Sequence, residues 1–175
     1  TFKSKVTKPG YQIQKTARLK GEDSTKWRKA VNAEIGDRVE WRISFQNIGS
    51  TQLDSVKVVD DLPSFTEIVP GSVKLYNTGY PSGHAYGPEA IQNDGDMVNV
   101  DIGSYAAGSN AFLLLETEIE DAEEIKTCGA HIIKNVVYVT PAGFGTLNDN
   151  AAVNIINEDC EEPEEPIYSC DSLNI

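Results

Sequence analysis

Three segments of this chain alternate apolar and polar residues as half-buried strands do, and each interrupts its apolar set with one polar residue. In residues 11–19 the inward set is Ile13, Lys15, Ala17 and Leu19. In residues 55–62 it is Val56, Val58 and Asp60, and in 132–140 it is Ile133, Asn135, Val137 and Val139. Strand side chains repeat every two residues, so each polar group points where its apolar companions point. The alternation commits the chain to sheets with one dry face. The intruders require that an amine, a carboxyl and a carboxamide be accommodated there.

The remaining pattern is of the same kind. Val39, Trp41, Ile43 and Phe45 alternate after the turn Ile35-Gly36-Asp37, and Asn47-Ile48-Gly49-Ser50 supplies the next turn. Strands are predicted over 53–60, 73–76, 97–102, 111–120, 132–140 and 151–156, with 77–95 as a long Gly/Pro/Asn-rich connection. Only 25–33 and 121–127 hint at helix. Short strands separated by turn signals predict an all-β fold, an antiparallel immunoglobulin-like β-sandwich.

With 175 residues, the chain has enough length for one domain with a real core, assigned to 1–157. The segment 158–166 (Glu-Asp-Cys-Glu-Glu-Pro-Glu-Glu-Pro) repels itself and reads as an acidic linker, and 167–175 turns apolar again, as a following module would. The chain begins at Thr1 rather than methionine and is expected to be part of a longer protein. No apolar run approaches the ~18 residues of a membrane helix, so no membrane insertion of this segment is expected. A net charge of -12 argues against nucleic acid as a partner, since phosphate binding needs a basic face. The basic stretch 1–29 is read as a solvated face in preference to an anion site.

Gly36-Asp37-Arg38-Val39-Glu40-Trp41-Arg42-Ile43, then Asn47-Ile48-Gly49-Ser50, then Val56-Lys57-Val58-Val59-Asp60-Asp61-Leu62-Pro63 resemble the repeated surface-protein domain of bacterial envelopes. Ile102-Gly103-Ser104 with Gly108, and the strand Lys134-Asn135-Val136-Val137-Tyr138-Val139, extend the similarity in order to about residue 156. The resemblance implies an immunoglobulin-like module of a cell-surface stalk or adhesin, located outside the cell or in its envelope. Its partners would be adjacent domains of the same chain, and a surface protein or glycan of a host or neighbouring cell. Relatives similar to collagen-adhesin domains carry an isopeptide bond between a first-strand Lys and a late-strand Asn, with an Asp between them. Carried over, these are Lys15, Asn135 and Asp60.

The chemistry also follows from the residues themselves. Burial favours a neutral, nucleophilic amine at Lys15 and a protonated acid at Asp60. That acid can polarise the Asn135 carbonyl and shuttle protons while ammonia leaves. Such a bond forms once, so enzymatic turnover is not expected. The plain alternatives are a Lys15 that snorkels, an Asp60 that serves turn amides, an Asn135 that serves backbone, or a hydrogen-bonded cluster of all three. Asn148 or Asn150 with Glu116 or Glu118 is a rival set that strand parity disfavours, and Asp61 is a weaker acid than Asp60.

Folding the last hairpin about residues 143–145 brings Cys128 near Cys160, a candidate disulfide for an oxidising compartment, with Cys170 left over. No metal site or cofactor is expected: three cysteines at these spacings are not a zinc set, and Asn93-Asp94-Gly95-Asp96 lacks full calcium-loop spacing. Tyr76, Tyr80 and Tyr86, around the 77–95 connection, are candidate ligand-binding residues in the second function class, a module that captures a glycan or protein.

Overall fold

The computed structural model describes residues 10–157. Its strands are β1 (Tyr11–Leu19), β2 (Ala30–Ala33), β3 (Arg38–Asn47), β4 (Lys57–Asp61), β5 (Thr66–Ile68) and β6 (Lys74–Asn77). They continue with β7 (Tyr80–Ala85), β8 (Ile91–Gln92), β9 (Met97–Asp101), β10 (Asn110–Ile119), β11 (Gly129–Thr140) and β12 (Leu147–Asn157). One sheet has the order β1-β3-β10-β6-β7, with β5 also on β10; the other has the order β2-β12-β11-β4-β9-β8. The all-β sandwich expected from the alternation is present. Its pairs are antiparallel except β2 with β12, which is parallel. No helix among the described residues is long and apolar enough to cross a membrane.

The core lies between the sheets and is built by the alternating positions. On β3, Val39, Trp41, Ile43 and Phe45 are all buried while the residues between them are not. Each such side chain contributes roughly 1.5–3 kcal/mol on burial. Trp41 satisfies its indole by donating Nε1–H to Thr117 Oγ1 at 2.9 Å. At the end of β3, Asn47 is fully buried and donates Nδ2–H to the Thr51 and Tyr105 carbonyls, both at 2.8 Å, while its Oδ1 accepts from Gly49 N–H. The Asn-Ile-Gly-Ser motif is therefore a side-chain staple across two loops as well as a turn.

Several local expectations are corrected. Residues 25–33 form no helix: Trp27 lies between the guanidiniums of Arg18 (4.5 Å) and Arg42 (4.6 Å), Arg28 bridges to Ala17, and β2 follows. Residues 121–127 hold only a 3-10 turn, Glu123–Ile125. Strand β4 starts at Lys57, because Ser55 takes a positive φ of 45° and Leu53 makes an isolated bridge to Tyr105. The 77–95 connection is not a bare loop but carries β7 and β8. Its Tyr-Pro-Ser-Gly-His-Ala strand sits at a sheet edge, where proline is tolerated. The linker 158–166, the segment 167–175, Cys160 and Cys170 lie outside the described residues.

Candidate functional site

Lys15 is carried on β1 in one sheet; Asp60 and Asn135 are carried on β4 and β11 of the other. Asp60 stands opposite Val137 in the β4–β11 ladder, so Asn135, two residues along β11, is its diagonal neighbour on the same face. All three side chains have zero exposure. The Lys15 amine crosses the sandwich to pair with Asp60 Oδ2. It also lies 5.7 Å from the Trp41 ring centroid, and Ile43, Val98 and Val137 close the surroundings as their direct strand partners.

The pair is electrically unusual. Burial lowers the Lys15 pKa despite the opposing pull of Asp60, and burial raises the Asp60 pKa despite the opposing pull of Lys15. Both shifts favour the proton on the carboxyl and the neutral amine. The Asn135 carboxamide is close enough to Asp60 to favour the charged carboxyl slightly. It nevertheless makes no well-formed hydrogen bond: Asn135 Nδ2, Asn135 Oδ1 and Asp60 Oδ1 are buried without a partner among the described residues. An orphaned buried polar atom costs about 1–3 kcal/mol. Three in one place mark a site under chemical tension.

The rivals are placed elsewhere. Asn148 and Asn150 are exposed. Glu118 pairs with Arg38, whereas Glu116, expected to face outward, is only 8% exposed because Lys20 and Arg38 fold over it with contacts of 2.7 and 3.4 Å. Asp61 is exposed and points away from the core.

The three tyrosines do not form one surface. Tyr76 stacks on Phe112 at 5.0 Å and is crowded by Gly83, where any side chain would meet its ring. Tyr80 stacks on His84, whose other side meets Tyr86 edge-on, and Tyr86 donates its hydroxyl to the Asp101 carbonyl at 2.9 Å. Cys128 precedes β11 and has an interaction of its own, but Cys160 lies outside the described residues.

Two residues that the sequence reading passed over join the site from behind. Asp149 Oδ2 accepts the Lys15 main-chain N–H at 2.6 Å, and Lys29 Nζ donates to the Lys15 carbonyl at 3.0 Å. The signal for Asp149 was available: it shares strand parity with the buried Ala151, Val153 and Ile155, as Lys15, Asp60 and Asn135 share theirs with apolar neighbours.

The fold has known counterparts. The major pilin subunit BcpA of Bacillus cereus matches with a TM-score of 0.53 and 11% identity, over 82% of this chain and 40% of that one. The N-terminal domain of the Streptococcus gordonii adhesin Sgo0707 matches with a TM-score of 0.52 and 11% identity, over 81% of this chain and 32% of that one. This is the fold of bacterial pilin and adhesin domains. The RrgA Jo.In complex matches at 0.51 and 9% identity, over 81% of this chain and 78% of that one. The chain spans less than half the length of the first two. No family model and no curated protein matches it by sequence.

Proposed function

We propose that this domain is a structural or adhesive module of a bacterial cell-surface protein, stiffened by an amide that Lys15 and Asn135 form with each other. The observation that carries the reading is the unpartnered Asn135 carboxamide beside a fully buried Lys15–Asp60 pair. The neutral Lys15 amine attacks Asn135 Cγ, forming the new C–N bond. Protonated Asp60 donates to the carboxamide oxygen, takes a proton from the attacking nitrogen, passes one to the departing NH2 group, and recovers the oxygen's proton as the carbonyl re-forms. The C–N bond to that group breaks and ammonia leaves, so no oxidant or cofactor takes part. The shared fold of pilin and adhesin domains supports the surface role, adjacent domains of the same chain being the first partners. A Cys128–Cys160 disulfide belongs to the same extracellular reading.

Intact mass tests the bond. After reduction of disulfides, the chain is expected to lack the mass of one ammonia, and Lys15→Ala, Asp60→Ala and Asn135→Ala each restore it. A full-length mass overturns the reading. Loss of water instead would assign the amide to Lys15 and Asp60.

A second reading, glycan capture, is favoured by a groove of about 590 Å³ on the outer face of the β1 sheet. Its floor includes Gln12, Gln14, Gln46 and Asn110 beside the Tyr76–Phe112 stack, and no charged residue among the described ones lines it. Carboxamides and an aromatic face suit a neutral sugar. Tyr76→Ala leaving glycan-array signals unchanged would remove this reading; Tyr80 and Tyr86 do not line the groove.

A further inference from the structure

We infer that Lys29 and Asp149 are positioning residues that hold the Lys15 main chain in place for amide formation, an inference that rests on the crosslink proposed above. The starting point is the edge of β1. Each strand residue offers peptide groups to one side only, and Lys15 and Ala17 turn theirs away from β3. At Ala17 those groups find a backbone partner: its N–H donates to the Arg28 carbonyl at 2.8 Å and its carbonyl accepts from Arg28 N–H at 2.9 Å. At Lys15 no strand among the described residues pairs on that side. Two side chains take its place: Asp149 accepts the N–H at 2.6 Å, and Lys29 donates to the carbonyl at 3.0 Å. Lys29 Nζ in turn donates to Asp149 Oδ1 and Oδ2 at 2.7 and 2.8 Å, which closes a ring around the main chain of one residue.

The position of Asp149 gives the ring a purpose beyond sealing an edge. Asp149 lies in register with Val137 of β11, and Ala151, two residues on, lies in register with Asn135. The ring therefore ties the backbone that carries the amine to the strand hydrogen-bonded beside the one that carries the carboxamide. Lys15 and Asn135 belong to different sheets, and packed sheets can slide by fractions of an ångström. Misplacing reacting atoms by about 1 Å costs on the order of 100-fold in rate. The side-chain ring fixes that coordinate at the one residue where it matters.

The test is a time course of amide formation in freshly synthesised full chain, quenched in acid and read by intact mass. Wild type is compared with Asp149→Ala, Asp149→Asn, Lys29→Met and Glu22→Ala. The last removes the ion pair of Glu22 with Arg28, 2.6 Å long, elsewhere on the same edge, and serves as a control for general loosening. The expected result is a rate lower by roughly tenfold or more in Asp149→Ala. Asp149→Asn, which keeps an acceptor for the Lys15 N–H, should fall between it and wild type, with Glu22→Ala at the wild-type rate. Should Asp149→Ala fail to fold, Lys29→Met carries the comparison. Equal rates in Asp149→Ala and wild type, or an equal slowing in Glu22→Ala, overturn the positioning role and leave the crosslink standing. A wild-type chain that never loses ammonia overturns the crosslink itself, and the positioning role with it.

Discussion

The amine of Lys15, carried by the first strand of one sheet, ends on the carboxyl of Asp60 in the opposite sheet, and neither group touches solvent. Two ionisable groups taken from water into a sandwich core, whichever of them holds the proton, gain little over a hydrophobic pair of the same size. Their presence is therefore better accounted for by what they do than by the stability they add.

The first consequence concerns stability. An amide from 15 to 135 constrains the unfolded chain as a disulfide of that span would, contributing about 4–5 kcal/mol. Asn135→Ala should lose that amount while keeping the Lys15–Asp60 pair. Asp60→Ala should lose more, because an amine is then buried alone, at a further cost of about 3–5 kcal/mol. Guanidinium unfolding measures both, and an Asn135→Ala protein as stable as wild type would contradict the expectation.

Asn47→Ala should be costly although Asn47 is remote from the site. It removes three hydrogen bonds: that of the Thr51 carbonyl, and one each from the Tyr105 carbonyl and the Gly49 N–H, which keep the Leu53 N–H and the Gly10 carbonyl as partners. With about 0.5–1.5 kcal/mol for each hydrogen bond lost, a loss of roughly 2–4 kcal/mol is expected in the same unfolding experiment. A loss below about 0.5 kcal/mol, the range of an ordinary surface change, would show that water replaces the staple.

Trp27→Ala should destabilise by about 1–2 kcal/mol, from two cation–π contacts of roughly 0.5–1 kcal/mol each. The guanidiniums of Arg18 and Arg42 stand on its ring at 4.5 and 4.6 Å. Trp27→Phe should retain part of this. If the two variants unfold at the same midpoint as wild type, the stack adds nothing.

Tyr86 offers a prediction in pH. Burial, followed by the nearby Tyr105, Asp101 and Tyr80, pushes its pKa up to about 12. The folded value lies above the unfolded one, near 10. The stability linked to Tyr86 is thus whole below about pH 10 and is lost as pH rises from there through the folded value. Alkaline ultraviolet titration should show a late-ionising tyrosine that Tyr86→Phe removes; an unchanged curve would refute it.

Much of this architecture was legible in the alternation. The span of β1, the inward parity of β3 and β10, and the burial of Lys15, Asp60 and Asn135 all follow from a two-residue repeat. What the repeat cannot express was missed. Strand β2 is only four residues long and is held by a parallel partner, so it left no periodic trace. Strand β7 contains Pro81 and Gly83 and reads as turn, because an edge strand needs only one side of its backbone paired. Glu116 was expected outside because parity says nothing of the long lysine and arginine side chains that lie over it. The parity of Asp149 with Ala151, Val153 and Ile155 marks it as facing inward, but its partner is the Lys15 main chain, and side-chain patterns do not reveal which peptide groups need one.

The placement of Lys15 and Asn135 has a mechanical consequence. Pulling on the two ends of this domain delivers tension at β1 and at β12. If residues 15 and 135 are joined as proposed, that tension would pass from the first strand into β11 through one covalent link. The chain numbered 16–134 would then be bypassed, and only the outer segments would remain able to pay out. A filament assembled from such modules would transmit a tug along its axis almost without lengthening, as an inextensible cord does.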